Sequence, residues 1–331
     1  MPYITRTNAD ALIPVETSRE ILKEVPTASK LLPLMRRLPN MTAKQRTIPV
    51  TSALANAYFL NPGTPTEGTD PDITKKQTTN AAWDKVTITA EELAVIVPIT
   101  EAVLDDADYD IWAEIRPQIV EALGIAIDQA ILFGINKPDA WGAAIVPAAT
   151  TANHTIAVGT NRDVASDIIG VGGLMALVEN DGYRVNGFLA DGSFAPYLRD
   201  LRATDGQPIY VPALNSGYSD TIVGRPIEYD NSGVFNPANV LMVAGDFSKA
   251  VYAIRQDVTY KVLDQACIDL GNGTTLNLAQ QDMVALRVVM RLGYQLAKPV
   301  TRRAGANGFP FAVLTPAQTA GGSEETTGGE G

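Results

Sequence analysis

The residue types that most often do chemistry are nearly absent from this chain. His154 is its one histidine and Cys267 its one cysteine. A Ser–His–Asp triad, a Cys–His pair or a two-histidine metal site cannot be built within one chain from that inventory. Asp106, Asp108 and Asp110 stand at the 1, 3 and 5 spacing of a calcium loop, but Ile111 sits where glycine is needed and Pro117 where the closing glutamate is needed. These aspartates read instead as helix caps. Gly170-Val171-Gly172-Gly173 lacks the Gly-Lys-Ser/Thr of a phosphate loop and completes no dinucleotide fingerprint. Asp191-Gly192-Ser193 lacks the paired glycines of a nucleophile elbow. Glu91–Glu92 and Glu324–Glu325 are adjacent in sequence, so neither pair faces across a cleft. The expectation is no catalytic residue, no cofactor and no metal, with His154 an ordinary loop histidine.

Charge excludes another class. The 331 residues carry a net charge of −11, which argues against a general nucleic-acid-binding surface. The distribution is uneven: residues 1–50 hold eight basic and four acidic groups, a surplus of +4 that leaves −15 for the rest. A basic arm on an acidic body suits a segment that lies on a partner. One cysteine permits no intrachain disulfide, in keeping with a reducing cytosol. MPYITRTNADALIP has no continuous apolar core and is no signal peptide. The longest apolar run, 168–178, is far short of a membrane span. A soluble intracellular protein without membrane contact is expected.

The element that must organise the chain is 105–134. Trp112, Ile115, Ile119, Leu123, Ala126, Ala130 and Phe133 recur in steps of three and four, one face of an α-helix. Aspartates crowd its front, and Gly134 followed by Pro138 supplies the stop. Pro117 predicts a kink, or a helix that starts only near Arg116. Run from Tyr109 to Phe133, it would span about 37 Å.

Around this spine the chain divides by composition. Residues 1–44 are cut by Pro14, Pro26, Pro33 and Pro39 into an arm, with one brief helix over 15–25 and apolar anchors at Leu31, Leu32, Leu34, Met35 and Leu38. Two strand-like runs, 45–50 and 82–98, enclose a Thr/Pro/Gly/Asn-rich insert. In the second run Val86, Ile88 and Ala90 share one phase and Leu93, Val95 and Val97 the other, which predicts a bulge or a change of environment near Glu91–Glu92. Drawn out as a hairpin, the insert would reach about 50 Å, well beyond a body of about 20 Å radius of gyration. Tyr58, Phe59 and Trp83 would then need cover from a neighbour. Residues 140–162 read as a crossing, 163–180 as a glycine-weakened helix, 186–190 as a strand and 193–202 as a helix ending in the turn 203–206. Strands are predicted at 221–229, 240–244, 250–255, 258–263, 283–297 and 309–314. Arg287 and Arg291 in the fifth of these would need partners if both faces were buried. The tail GGSEETTGGEG is expected to be disordered.

Several stretches together resemble the HK97-type major capsid proteins of tailed bacteriophages: LAVIVPITEAVLDDADYDIW leading to DQAILFG, SFAPYLRDLRATDGQPIY, GRPIEY with VAGDFSKAVYAIRQDVTYKV, and DMVALRVVMRLGYQLAKPVTRRA. The resemblance spans roughly 10–314. It implies an α+β capsid fold, divided into an N-terminal arm (1–44), an E-loop hairpin (45–96), a peripheral domain with the spine helix (97–139), an axial domain (140–282), peripheral closing strands (283–314) and a disordered tail (315–331).

The resemblance further implies self-assembly as pentamers and hexamers into an icosahedral shell around double-stranded DNA, which the inner face holds without sequence specificity. A separate scaffolding protein, a portal and a decoration protein are the other expected partners. The virion is the expected location, after assembly in the host cytoplasm. The residues expected at assembly contacts are Tyr58, Phe59, Lys75, Lys76, Trp83, Arg36, Arg37 and Pro117, the last with the arm and E-loop as places where subunits switch shape. Some relatives cross-link through a loop lysine, an asparagine and a glutamate just before the closing-strand arginine. Lys75 and Lys76 lie in the matching loop, but Val289 and Met290 precede Arg291, so no isopeptide bond is expected. An encapsulin-type nanocompartment shell is the alternative within this fold, and a soluble α/β enzyme the alternative outside it.

Overall fold

The computed structural model describes residues 29–57, 78–106, 111–202, 220–269 and 273–317. In chain order the strands are β1 (Arg36–Arg37), β2 (Gln45–Ala53), β3 (Ala82–Thr89), β4 (Glu91–Thr100), β5 (Thr155–Ala157), β6 (Gly187–Asp191), β7 (Thr221–Ile222), β8 (Arg225–Asp230), β9 (Met242–Gly245), β10 (Ala250–Leu263), β11 (Cys267–Asp269), β12 (Thr275–Asn277), β13 (Met283–Leu296) and β14 (Phe311–Thr315). The helices are α1 (Glu101–Asp106), α2 (Ile111–Leu132), α3 (Ile145–Thr151), α4 (Val164–Ile169), α5 (Leu174–Asn180) and α6 (Ala195–Arg199).

The spine is α2, 22 residues and about 33 Å long. Its apolar stripe lies where the periodicity puts it. Ile119 and Leu123 pack on Leu286 and Val288 of β13, and Ile127 and Ile131 enter a second, larger core. Gly134 ends the helix at φ +77, a left-handed conformation that costs glycine little, and its N–H reaches the Ala130 carbonyl at 3.1 Å. The helix does not wait for Arg116. It begins at Ile111 and passes through Pro117. One intrahelical hydrogen bond is lost at the proline, while Trp112, Ile115 and Ile119 on either side hold the segment against the sheet.

Two sheets flank the spine. The first has the order β1-β10-β13-β4, and the second, of six strands, the order β5-β14-β9-β6-β8-β7. Alternation divides the second sheet cleanly. Leu189, Val243, Phe311 and Val313 face the core that holds the spine, the first sheet and α3, while Phe188, Met242, Ala244 and Leu314 face α4, α5 and α6. Burial on both faces explains why these strands read as short apolar runs.

Several expectations need correction. Residues 140–162 are more than a crossing: they hold α3 and β5, and β5 pairs in parallel with β14. The helix over 163–180 is two helices, divided at Gly170–Gly173. Asp163 caps the first by accepting from the Ser166 N–H, and a Cβ on Gly170 would fall 2.5 Å from the Ser166 carbonyl oxygen. The helix over 193–202 is shorter, a turn at Gly192–Phe194 followed by α6, with Phe194 and Leu198 buried. The strand over 221–229 is the hairpin β7–β8, and those over 250–255 and 258–263 are one strand, β10, with register shifts around Gln256 where the alternation breaks. Strand pairing also crosses the sequence divisions. β10, from 140–282, pairs with β13, while β14, from 283–314, joins the six-stranded sheet. The helix over 15–25, the turn at 203–206 and the tail from 318 onward lie outside the described residues.

Candidate assembly surfaces

The hairpin stem is built on a strand that changes partners. β3 pairs with β2 from Thr89↔Gln45 to Ala82↔Ala53. After Ala90 the chain continues as β4, which pairs with β13 instead. The change of apolar phase near Glu91–Glu92 is this passage from one sheet to another. At the junction Ile88 and Ala90 are buried with Met41, Val251 and Ala253, and the Ala90 N–H donates to the Lys44 carbonyl at 2.8 Å. Gly293 makes the crossing possible, because a Cβ there would lie 2.6 Å from Ile88 Cγ2 and 2.7 Å from the Thr89 oxygen. From the junction the stem runs along the chain that follows β13: the Val300 N–H donates to the Thr51 carbonyl at 3.1 Å, and Arg302 Nη1 donates to Asn56 Oδ1 at 2.9 Å. Trp83, opposite Thr51, is 68% exposed. Tyr58, Phe59, Lys75 and Lys76 lie outside the described residues.

The described part of the arm is anchored at one end and exposed at the other. Asp128, on the buried side of α2, accepts from Ser29 Oγ at 2.6 Å and from the Lys30 and Leu31 N–H groups at 3.0 and 3.5 Å. Burial pushes its carboxyl up to about 6. The three hydrogen bonds pull the other way, and the Asp230 carboxylate adds a smaller upward push. Leu31 and Met35 then enter the core. Arg36 and Arg37 follow as β1, parallel to β10 at Val251 and Tyr252, with both side chains exposed. Pro117 is separate from these contacts, half-buried on the spine. Trp83, Arg36, Arg37 and Pro117 therefore occupy different elements and form no single cluster.

The residues tested for chemistry have structural work. His154 is buried in the link between α3 and β5. Its Nδ1 lies 3.0 Å from the Phe311 carbonyl oxygen and its Nε2 lies 3.2 Å from Asp181 Oδ2, while the same Oδ2 accepts from the Phe309 N–H at 2.7 Å. Asp191-Gly192-Ser193 is one of three alike turns. In it, and in Asp230–Ser232 and Asp246–Ser248, the aspartate accepts from both the N–H and the hydroxyl of the serine two residues on. Arg291 finds its partner in Glu92, with Nε 2.9 Å from Oε2, and Lys44 pairs with Glu91 at 3.5 Å. Among the described residues no group of three His, Cys, Asp or Glu could hold a metal. Sequence reasoning missed Asp128, and also Asp167, which accepts from the Gly159 and Asn161 N–H groups at 2.7 Å each. The Asp-x-Ser repetition was a signal for the turns. For Asp128, the one signal was an acid among the apolar positions of the helix.

With this geometry in hand, comparison with known proteins is informative. The model of the phage capsid family matches residues 9–300. The major capsid protein of Staphylococcus phage 80alpha is 28% identical over 312 residues, covering 93% of this chain and 86% of the relative. Among solved structures, one from Microbacterium phage Oxtober96 is 34% identical with a TM-score of 0.77, over 95% of this chain and all of the other. One from Mycobacterium phage Cain is 31% identical with a TM-score of 0.78, over 96% of this chain and all of the other.

Proposed function

The chain belongs to the phage capsid family and is a major capsid protein, a structural component of the virion shell, and from that premise we propose how its parts divide the work of assembly. The family match and the relatives are phage capsid proteins, so the encapsulin alternative is set aside. Copies of the chain self-assemble into an oligomeric shell. In the proposed division, residues 1–44 are the arm and 45–90 the E-loop. The peripheral domain is the spine α2 with the sheet β1-β10-β13-β4. The axial domain, which meets its copies at five-fold and six-fold centres, is the six-stranded sheet with α3–α6. The boundaries follow strand pairing, so β14 moves to the axial domain and β10 to the peripheral one. Pentamers and hexamers, an icosahedral shell, a separate scaffolding protein, a portal, a decoration protein and packaged double-stranded DNA complete the proposal, with assembly in the host cytoplasm and no catalytic step.

The observation that carries the division is the transfer at Ala90, where one strand path leaves the peripheral sheet and becomes a separate two-stranded stem. A stem held by its own subunit at the Ala90 junction and along the chain that follows β13, with exposed Trp83 on it, suits the base of a limb that meets a neighbour. Many modest contacts of this kind act together through effective concentration, and closed symmetry makes each patch meet its complement on a rotated copy. Electron cryomicroscopy of shells from the expressed chain tests this. The six-stranded body should surround the five-fold and six-fold axes, and Trp83 should be covered by another copy. A shell with the peripheral sheet at those axes, or with Trp83 open to solvent, would overturn the division.

A further inference from the structure

One side chain stands where the backbone favours another kind. Among the described residues four non-glycine positions have positive φ: Asn136 at 51, Asn153 at 58, Asp282 at 48 and Val223 at 51. Asparagine and aspartate tolerate this left-handed region, because their short polar side chains can bond to nearby backbone. Valine does not, since its branched Cβ crowds the backbone there. Val223 and Gly224, the latter at φ +70, form the two-residue turn between β7 and β8, and Ile222 and Arg225 pair on either side of it. Such a turn needs positive φ at both central residues and favours Asn-Gly. Valine in the first of these places costs the fold stability.

The side chain is little covered by its own subunit. Val223 is 60% exposed, while Ile222 beside it enters the core shared with α4, α5 and α6. Behind the turn Arg225 approaches Glu179 of α5 at 4.0 Å, so the base of the hairpin is tied down and its tip faces outward. Thr221, Gly224 and Pro226 are exposed beside Val223. The turn lies at the β7 end of the six-stranded sheet and is separate from the β2–β3 stem.

Strain combined with an exposed apolar side chain argues for a contact made outside the subunit. The partner is another copy of the chain. Every copy carries the turn, so whatever offsets its cost must be present in equal number, and in a shell of this chain that is the chain itself. Charge agrees. The chain carries a net −11, so its copies meet most easily where carboxylates are absent. Thr221, Val223, Gly224 and Pro226, the exposed residues of the tip, are all uncharged, as the centre of an interface between like-charged copies requires. A strongly basic or acidic partner would find no counter-charge there.

We propose that the β7–β8 turn is a contact between copies, and that Val223 stands at positive φ because its side chain is buried against a second copy in the shell. Each subunit gives up fold stability at this residue and regains it on assembly. This rests on the shell reading and adds to it a contact of the six-stranded body.

Val223→Asn in the full-length chain tests this, because it should move fold and assembly in opposite directions. Asparagine suits the turn, so the unassembled variant should melt about 2 °C above wild type. It also removes the apolar contact. Burying the exposed part of one valine is worth about tenfold per contact, so the concentration at which shells form, read by sedimentation, should rise by about tenfold or more. Hydrogen exchange adds a readout without mutation: the Val223 and Gly224 amides should exchange about tenfold or more slowly in wild-type shells than in unassembled protein. A variant that melts at or below the wild-type temperature would overturn the strain on which the proposal stands. Undiminished shells from Val223→Asn, or equal exchange in shells and unassembled protein, would overturn the contact while leaving the shell reading intact. Amides slowed only in shells that contain a different protein would overturn the second copy as occupant. Wild-type protein that forms no shells, alone or with a scaffolding protein, would refute the underlying reading and this contact with it.

Discussion

Asp128 allows a sharp test of how the arm is held. Its carboxyl is buried on the spine and receives Ser29, Lys30 and Leu31. Burial raises it from an ordinary 3.8 to about 6. A carboxyl raised on folding is bound more tightly to its proton in the folded state. Its contribution is therefore most favourable in acid and is lost as pH rises through the interval between those two values. Across about pH 4.5 to pH 7.5 the loss is about 2 kcal/mol, within a full penalty of about 3 kcal/mol. Asp128→Asn keeps an acceptor for the arm and removes the titration. Urea unfolding of the unassembled chain at the two pH values should show wild type losing about 2 kcal/mol more than Asp128→Asn over that interval. The same shift should appear locally, with the protection of the Lys30 and Leu31 amides relative to their intrinsic exchange rates falling between the two pH values in wild type and not in the variant. Equal pH slopes for the two proteins would refute the claim that folding buries this carboxyl where the arm meets the spine and so raises it.

Other consequences follow from the same packing. Gly293→Ala places a methyl 2.6 Å from Ile88 Cγ2 and should cost about 1–3 kcal/mol in a thermal or urea melt, because backbone as well as side chain must shift. Leu31→Ala empties a fully buried site where the arm meets the core and should cost about 2–5 kcal/mol in the same assay. Shells boiled in denaturant should run as monomer on a gel, since Val289 and Met290 are apolar and buried at the place where a cross-linking glutamate would stand; a covalent ladder would refute that expectation.

Periodicity recovered the parts of the fold that depend on one segment at a time. The stripe from Trp112 to Phe133 placed the spine, and the phase change after Ala90 marked the passage between sheets before any pairing was known. What failed depended on context. The helix at Ile145–Thr151 is rich in Thr and Ala, and its buried Ile145 and Ala149 make a stripe too short to read by period. The break at Gly170–Gly173 is set by backbone that approaches within a Cβ's reach, so glycine content weakened the predicted helix without dividing it. Long-range pairing left no local trace: β14 follows β13 in sequence yet closes the other sheet. Of the residues expected at assembly contacts, Trp83, Arg36 and Arg37 are exposed; the arm anchor at Asp128 could be found only once the helix face it interrupts was seen buried.

The account rests most directly on self-assembly of the chain. The expressed protein should be separated by size-exclusion chromatography and imaged by negative-stain electron microscopy, alone and with a scaffolding protein. Closed shells or capsomer rings are the predicted result. A stable, monodisperse monomer under both conditions would contradict it.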